Sequence, residues 1–255
     1  MIGWSRFAAL ALAIAPSSAQ AVALKHVPAA LSPAKAYILV EYKRVPNPMA
    51  GVPLSAKYLP QMGGLAFARY DAALGDVRGL GKAASSPVAG KAGPIEAFRN
   101  RPVLKAEGSL LYLLEVEPDT YVVLGWANTS FSLGSYSFEA KAGTVTDLGV
   151  VSAAPDWPKG EEPEPMTVGK LFGAALAGPF AKARPVAPSR LTFRPRGADD
   201  IPVPAGLAPD RVVPVSFSYG ATFGNYLGGL VNRIDGVNAD HASAATPVES
   251  APTEQ

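Results

Sequence analysis

Hydrophobic and polar positions form their most regular pattern in the middle of the chain. Two apolar stretches, residues 109–117 (SLLYLLEVE) and 120–127 (TYVVLGWA), lie on either side of Pro118 and Asp119. Proline followed by aspartate at the centre of a turn favours a type I turn. The pattern therefore predicts a β-hairpin, with Pro118 and Asp119 as structural residues of its loop.

The predicted register sorts the side chains of this hairpin onto two faces. Val116 would lie beside Tyr121, and Leu114 beside Val123, on a face that is apolar throughout. The opposite face is polar near the turn, at Glu117, and becomes apolar further along. We therefore expect this hairpin in the middle of a sheet, with both of its faces covered away from the turn.

Short strands continue on both sides of the hairpin. Residues 131–140 alternate between aromatic and polar positions, and residues 144–151 follow after a turn, with Leu148 and Val150 expected to point inward. The same strand-like composition recurs earlier in the chain, in residues 36–45 and 65–70. Closely spaced strands with short connections predict an antiparallel meander. The whole set predicts a mainly β fold, an antiparallel, immunoglobulin-like β-sandwich.

The C-terminal part of the chain carries helix signals. Hydrophobic residues recur with helical spacing in residues 168–176 and again in 223–234, so we expect one or two short helices there. Gly224, Gly228 and Gly229 weaken the second prediction, because each glycine costs about 1 kcal/mol in a helix.

These patterns divide the chain into five predicted parts. They are a signal peptide (1–21), a β-sandwich domain (22–153), an acidic, proline-rich linker or long loop (154–167), a C-terminal segment packed on the sandwich (168–237) and a disordered tail (238–255). Glycine and proline, at 25 residues each, are abundant without a repeat period, which suits many turns between short strands.

The N-terminus has the three parts of a secretory signal peptide. A single positive charge, Arg6, precedes an apolar run at residues 7–15 that ends at Pro16. Small residues then offer cleavage after Ala19 or Ala21. A membrane-spanning helix needs about 20 apolar residues, so this run is too short to remain as an anchor. We expect a periplasmic or secreted protein with no membrane span after cleavage.

Composition excludes several classes of function. The chain has no cysteine, which excludes disulfides, thiol nucleophiles, thiolate metal sites and the acylated cysteine of a bacterial lipoprotein. The formal net charge is +2, which is too small for long-range attraction to nucleic acid. We therefore expect no nucleic-acid partner.

Motifs for catalysis and metal binding are sparse. The two histidines, His26 and His241, lie in the N-terminal lead-in and in the polar tail, where no rigid site is expected. The G-x-S-x-G motif of α/β hydrolases and the calcium-loop pattern are both absent from the sequence. We predict no catalytic residue, no cofactor and no metal site, and we favour a non-enzymatic role.

Two sets of residues remain as candidates for function. Glu115 and Glu117 share a strand face and form a candidate acid pair of the glycosidase kind. With Asp147 and Asp199 they would support an alternative function, a cofactor-independent hydrolase of envelope polymers, although we favour the explanation that the pair are solvated charges which keep the sheet soluble near its turn. Trp157, set between prolines, is the candidate aromatic residue for partner binding.

The stretch VEPDTYVVLG (116–125), followed by YSFEAKAGTVTDLGVV (136–151), resembles a pattern of exported bacterial β-sandwich domains of uncharacterised function. In that family a Pro-Gly-x-Tyr turn leads into a strand, and Asp119 stands here where the family usually has glycine. The resemblance implies that Tyr121 acts as in a tyrosine corner, its hydroxyl bonded to upstream backbone. It carries no catalytic residue. Related lipoproteins have a lipid-carrying cysteine, which this chain lacks.

These observations lead to one expected function. We expect an exported, non-enzymatic β-sandwich protein of the bacterial envelope, with a structural or partner-binding role. Its partner would be an envelope protein or a glycan.

Overall fold

The fold comes from a computed structural model that describes residues 22–47, 55–58, 64–78, 95–96, 102–162, 169–170, 176 and 186–234. The predicted signal peptide (1–21) and the predicted tail (238–255) lie outside these residues. The chain is mainly β, with 47% of residues in strands, 4% helical and two sheets. This architecture confirms the predicted fold class.

Five of the described strands have seven to eleven residues and the others are shorter. The long strands are rich in β-branched and aromatic residues, which suit pleated, half-buried surfaces. A 3₁₀ helix, Pro209–Arg211, comes just before β13. Within the described residues the strands are, in chain order, β1 (Val22–Ala23), β2 (Ala36–Lys43), β3 (Leu65–Asp71), β4 (Asp76–Val77), β5 (Ile95–Glu96), β6 (Leu104–Ala106), β7 (Ser109–Val116), β8 (Asp119–Trp126), β9 (Thr129–Ser130), β10 (Ser135–Ala140), β11 (Val145–Pro155), β12 (Ser189–Arg194), β13 (Val212–Pro214), β14 (Ser218–Ala221) and β15 (Leu230–Val231).

The first sheet contains β2 and the long strand β11 near its middle. Its order is β1-β7-β2-β11-β12, with β6 added beside β7 and β13 beside β11. β2 pairs antiparallel with β7 along its whole length but parallel with β11. The sheet is therefore mixed, and the expectation of purely antiparallel pairing does not hold for β11.

The second sheet lies against the first and has the order β14-β10-β8-β3-β4. Three short strands extend it, β5 beside β3, β9 beside β8 and β15 beside β9. β8 pairs antiparallel with both β10 and β3. The C-terminal strand β14 forms one edge of this sheet.

The predicted hairpin is wrong, because β7 and β8 belong to opposite sheets. The chain crosses from one sheet to the other at Pro118. Val116 and Tyr121 are both buried in the interior between the sheets, but they reach it from opposite sides. Each strand is apolar on both faces, and in its own sheet each is covered by the interior cluster on one face and by an outer cluster on the other. β10 and β11 also lie in opposite sheets, so the predicted meander is wrong as well.

Three clusters of buried side chains account for these doubly apolar strands. One cluster fills the interior between the sheets. A second covers the outer face of the first sheet, where Ile201 and Leu207 belong to the same cluster as Leu111 and Leu113. A third covers the outer face of the second sheet and includes Phe223. The sandwich is therefore covered by chain segments on both of its outer faces.

A bulge in β11 shifts its alternation of side chains. Along its pairing with β2, β11 has one extra residue between Asp147 and Val150. Gly149 lies in this bulge with φ +73, a left-handed conformation that glycine adopts readily. Leu148 and Val151 consequently both belong to the interior cluster. Val150, predicted to point inward, is buried outside that cluster.

The C-terminal strands complete the two sheets. β12 and β13 join the first sheet at β11, and β14 joins the second at β10. The helix predicted for residues 223–234 is wrong, because this segment contains no helix and includes β15. Gly228 has φ +64 there, which lies outside the helical region. The three described residues of the other predicted helix, 168–176, are helical.

Side chains of the crossing between β7 and β8 hold it in place. Tyr121 is buried, and its hydroxyl donates to the carbonyl oxygen of Glu117 at 2.8 Å, which is the bond to upstream backbone that the resemblance implies. Burial raises the pKa of Tyr121. Asp119 accepts hydrogen bonds from Arg69 and Arg78, so this aspartate ties the crossing to the β3 side of the second sheet.

Replacing Tyr121 by phenylalanine should lower the free energy of unfolding by about 1–2 kcal/mol, because the Glu117 carbonyl loses its donor in a partly buried position. Urea unfolding followed by tryptophan fluorescence measures the change. Tyr219→Phe is the matched control: Tyr219 is 50% exposed, and its change should stay within about 0.5 kcal/mol. Equal stability of the Tyr121→Phe variant and the wild type would show that the bond does not hold the crossing.

Candidate functional site

A large cleft opens at the edge of the sandwich where β12 and β13 part. Both strands lie on the same side of β11, where β12 pairs with residues 150–155 and β13 with residues 145–147. The two segments diverge at the bulge between these pairings. The segment after Arg194 leads onto the outer face of the first sheet, and the segment after β13 leads through Val215 to β14. The resulting cleft has a volume of about 970 Å³, at the upper end of the range for ligand pockets.

The walls of the cleft are mainly apolar and aromatic. The Phe217 ring centroid lies 4.8 Å from that of Tyr136 and 5.3 Å from that of Phe193, distances at which aromatic rings attract one another. Tyr219 is 50% exposed and lines the cleft beside them. Leu148, from the bulge, also lines it. Four prolines contribute further apolar surface: Pro195, Pro204, Pro209 and Pro214.

Arg196 fastens one wall of the cleft to the first sheet. A guanidinium has five N–H donors, and the bonds to Arg196 match that number. It donates twice to Asp147, at 2.9 and 3.0 Å, once to Glu41 at 2.8 Å, and to the carbonyl oxygens of Ile201 at 2.8 Å and Gly149 at 3.4 Å. Glu41 is fully buried and also accepts a hydrogen bond from the Ile201 amide at 2.9 Å. The loop after β12 is therefore held by buried charge-assisted bonds rather than by strand pairing.

Asp200 forms the second half of this ionic network. Its carboxylate accepts hydrogen bonds from both terminal nitrogens of Arg194, at 2.6 and 2.7 Å, and from the Gly197 amide at 2.7 Å. Lys43 Nζ lies 3.0 Å from Asp200 and 2.9 Å from Glu41. The Arg194 guanidinium, with the Gly197 amide and Lys43, holds the pKa of Asp200 well below its ordinary value, although burial opposes the shift.

The network is balanced in charge. Three acidic groups face three basic ones: Glu41, Asp147 and Asp200 against Lys43, Arg194 and Arg196. Buried charges are tolerated when they are paired and hydrogen-bonded in this way. The ionic groups beside the cleft therefore have structural partners within the protein.

The carboxylates named for a hydrolase do not converge on the cleft. Asp147 lines it, but both of its oxygens are bound to Arg196. Glu115 lies on β7, which β2 separates from β11, and Glu117 directly follows β7. Asp199 is exposed in the loop after β12. The four residues therefore form no acid pair across a pocket of the kind that glycoside hydrolysis requires.

Trp157 and the described histidine both lie away from the cleft lining. Trp157 is half-buried just after β11, and the neighbouring Asp156 accepts hydrogen bonds from Arg190 at 2.6 Å and Asn232 at 3.0 Å. This stretch is therefore tied to the C-terminal strands, and the start of the predicted linker, up to Pro155, is part of β11. His26 is exposed in the lead-in.

Comparisons with known proteins found no relative of this chain. No protein-family model, no curated protein and no solved structure matches the chain. Among the residues that the structure describes, no group of three His, Cys, Asp or Glu side chains is arranged to hold a metal ion. Over the same residues, no helix has the length and apolar character needed to cross a membrane.

Sequence reasoning missed the residues that shape the site. Neither Glu41 nor Asp200 was among the candidate residues named from the sequence. Arg196 and Glu41 are 155 positions apart, so no local pattern connects them. One signal was present in the sequence: Glu41 lies on the same strand face as Tyr37 and Leu39, which predicts burial and hence a partner of opposite charge.

Replacing Arg196 by methionine should destabilise the fold by about 3–5 kcal/mol, because Asp147 would lose its cationic partner in a largely buried position and Glu41 would keep only Lys43. Equilibrium urea unfolding measures this. Arg211→Met is the matched control, since the Arg211 side chain is 57% exposed and should change stability by less than about 0.5 kcal/mol. Similar, small effects of both substitutions would contradict the structural role of Arg196.

Proposed function

We propose that this protein is exported to the periplasm or secreted, and that it is a non-enzymatic protein of the bacterial envelope that binds a partner in the cleft between β12, β13 and β14. The cleft carries the proposal: about 970 Å³ of concave space with apolar and aromatic walls. Such a pocket is the default binding site of a protein. The proposed export rests on the signal-like pattern of residues 1–21.

Binding is better supported than catalysis at this site. A catalytic site needs an acid, base or nucleophile free to meet a substrate. Of the charged side chains that line the cleft, Asp147 and Arg196 bind each other, and Arg194 binds Asp200. No observation favours the alternative of a carboxylate-based hydrolase.

The cleft favours an envelope protein over a glycan as the partner. Sugars are bound by aromatic faces together with polar side chains that receive their hydroxyl groups. Here the charged side chains of the cleft are already bound to partners within the protein, and prolines occupy much of the remaining wall. An apolar segment of another protein matches these walls more closely.

Binding of the neutral fluorescent probe Nile red to the mature chain tests the cleft directly. We expect saturable binding that Tyr219→Ser and Ala205→Trp each weaken by about tenfold, because the first removes an aromatic wall and the second fills the space. Both residues line the cleft and are exposed, so the substitutions should leave the fold intact.

Two control variants locate the binding. Leu133→Ser changes an exposed leucine outside the cleft lining, and Trp157→Ala changes the other candidate binding residue. Neither should alter Nile red affinity if the cleft is the site. A protein that does not bind the probe, or one whose four variants all behave alike, would contradict the proposed function. Loss of binding in Trp157→Ala alone would move the site to that tryptophan.

A further inference from the structure

Among the strands that the structure describes, β14 is an edge strand that borders the cleft. It pairs with β10 on one side, and no described strand pairs with its other side. Ser218 and Tyr219 are exposed, and Tyr219 lines the cleft. The unpaired N–H and C=O groups of such an edge are available to hydrogen-bond another extended chain.

This edge lacks the charged residues that usually protect strand edges. Residues 212–232 contain no Asp, Glu, Lys or Arg. β12, an edge strand of the other sheet, carries Arg190 and Arg194 instead. Charges on an edge discourage an added strand, so β14 is better suited than β12 to receive a partner. β13 is also uncharged, but it has only three residues and ends in Pro214, which has no N–H to donate.

A bulge in β14 turns its aromatic side chain toward the cleft. Relative to β10, β14 has one extra residue between Ser218 and Ala221, and Gly220 has φ +80 in this stretch. Such bulges re-aim the neighbouring side chains. Ala221 belongs to the outer-face cluster, whereas the Tyr219 ring centroid lies 5.2 Å from that of Tyr136 on the cleft side.

From these features we infer that the partner is an extended peptide segment that pairs with β14 as an added strand and places alternate apolar side chains beside Phe193, Phe217 and Tyr219. This inference rests on the proposed function, because it names the occupant of the same cleft. In strand addition, main-chain hydrogen bonds supply affinity and pockets for alternate side chains supply specificity. The central residues of the peptide are uncharged, since the ionic groups at the cleft already pair with one another.

A peptide strand satisfies this site better than two other occupants. A lipid or another purely apolar molecule fills the cleft but leaves the main chain of β14 unpaired. A second copy of this chain, pairing through its own β14, satisfies the main chain but leaves the apolar space empty, because Tyr219 of each copy lines its own cleft. An added strand with alternating side chains does both.

Selection from a display library of random dodecapeptides on the mature chain, residues 22–255, tests the inference. We expect enriched peptides with apolar residues at alternate positions and no charge at their centre. One such peptide is then synthesised in two forms, N-methylated at alternate amides so that each form blocks one edge of the strand. Only one edge faces β14, so one form should lose about tenfold or more in affinity while the other binds like the parent peptide.

A matched pair of variants identifies the receiving edge. Ser218→Lys adds a charge to β14 and should weaken peptide binding by about tenfold while leaving Nile red binding unchanged. Thr192→Lys makes a similar change at an exposed position of β12 and should leave the binding of the peptide and of Nile red unchanged. The opposite result would assign the added strand to β12 and overturn the assignment to β14.

The remaining outcomes separate this inference from the proposed function. Equal effects of the two N-methylated forms, or Nile red binding without any enriched peptide, would overturn the added strand and leave the cleft as a binding site. Absence of both Nile red and peptide binding would contradict the proposed function itself. A dimer of the chain that Ser218→Lys dissociates would show that a second copy occupies the edge, which also overturns the peptide partner.

Discussion

The buried bonds of Arg196 hold the outer layer of this protein on its first sheet. Segments far apart in sequence meet at this guanidinium: Glu41 from β2, Asp147 from β11 and the loop that carries Ile201. A buried charge without a partner is strongly unfavourable, so the loop docks with all of these bonds or does not dock stably. Because the chain has no cysteine, no disulfide shares this task.

The same region gives the cleft its shape. The bulge at Gly149 separates β12 from β13 and brings the Asp147 carboxylate and the Gly149 carbonyl to Arg196. A side chain at Gly149 would place its Cβ 2.2 Å from the Arg194 carbonyl oxygen, so this close approach requires glycine. One irregularity in one strand thus opens the cleft and fixes its wall. A site whose charges are all used in this way is suited to binding through apolar contact.

The strands and their burial were predictable because alternation and composition are local properties. Val116 and Tyr121 were correctly predicted to share one buried apolar environment. The pattern could not distinguish neighbours in a hairpin from partners across a sandwich, since both arrangements bury the same faces. The helix predicted for residues 223–234 failed because its glycines outweigh the helical spacing, and Gly228 adopts a left-handed conformation there. The ionic network was beyond local reasoning, since Glu41 and Arg196 are brought together only by the completed fold.

Native-state hydrogen exchange of the Ile201 amide, measured by NMR, tests the central claim most directly. This amide donates to the buried Glu41 carboxylate and takes part in no strand pairing, so its protection reports how firmly this loop is docked on the sheet. The account predicts that Ile201 exchanges as slowly as the Val40 amide in β2, which opens only with the sheet. Exchange as fast as that of exposed Asp199, two residues earlier, would contradict the account, because the loop would then be loose while the sheet is intact.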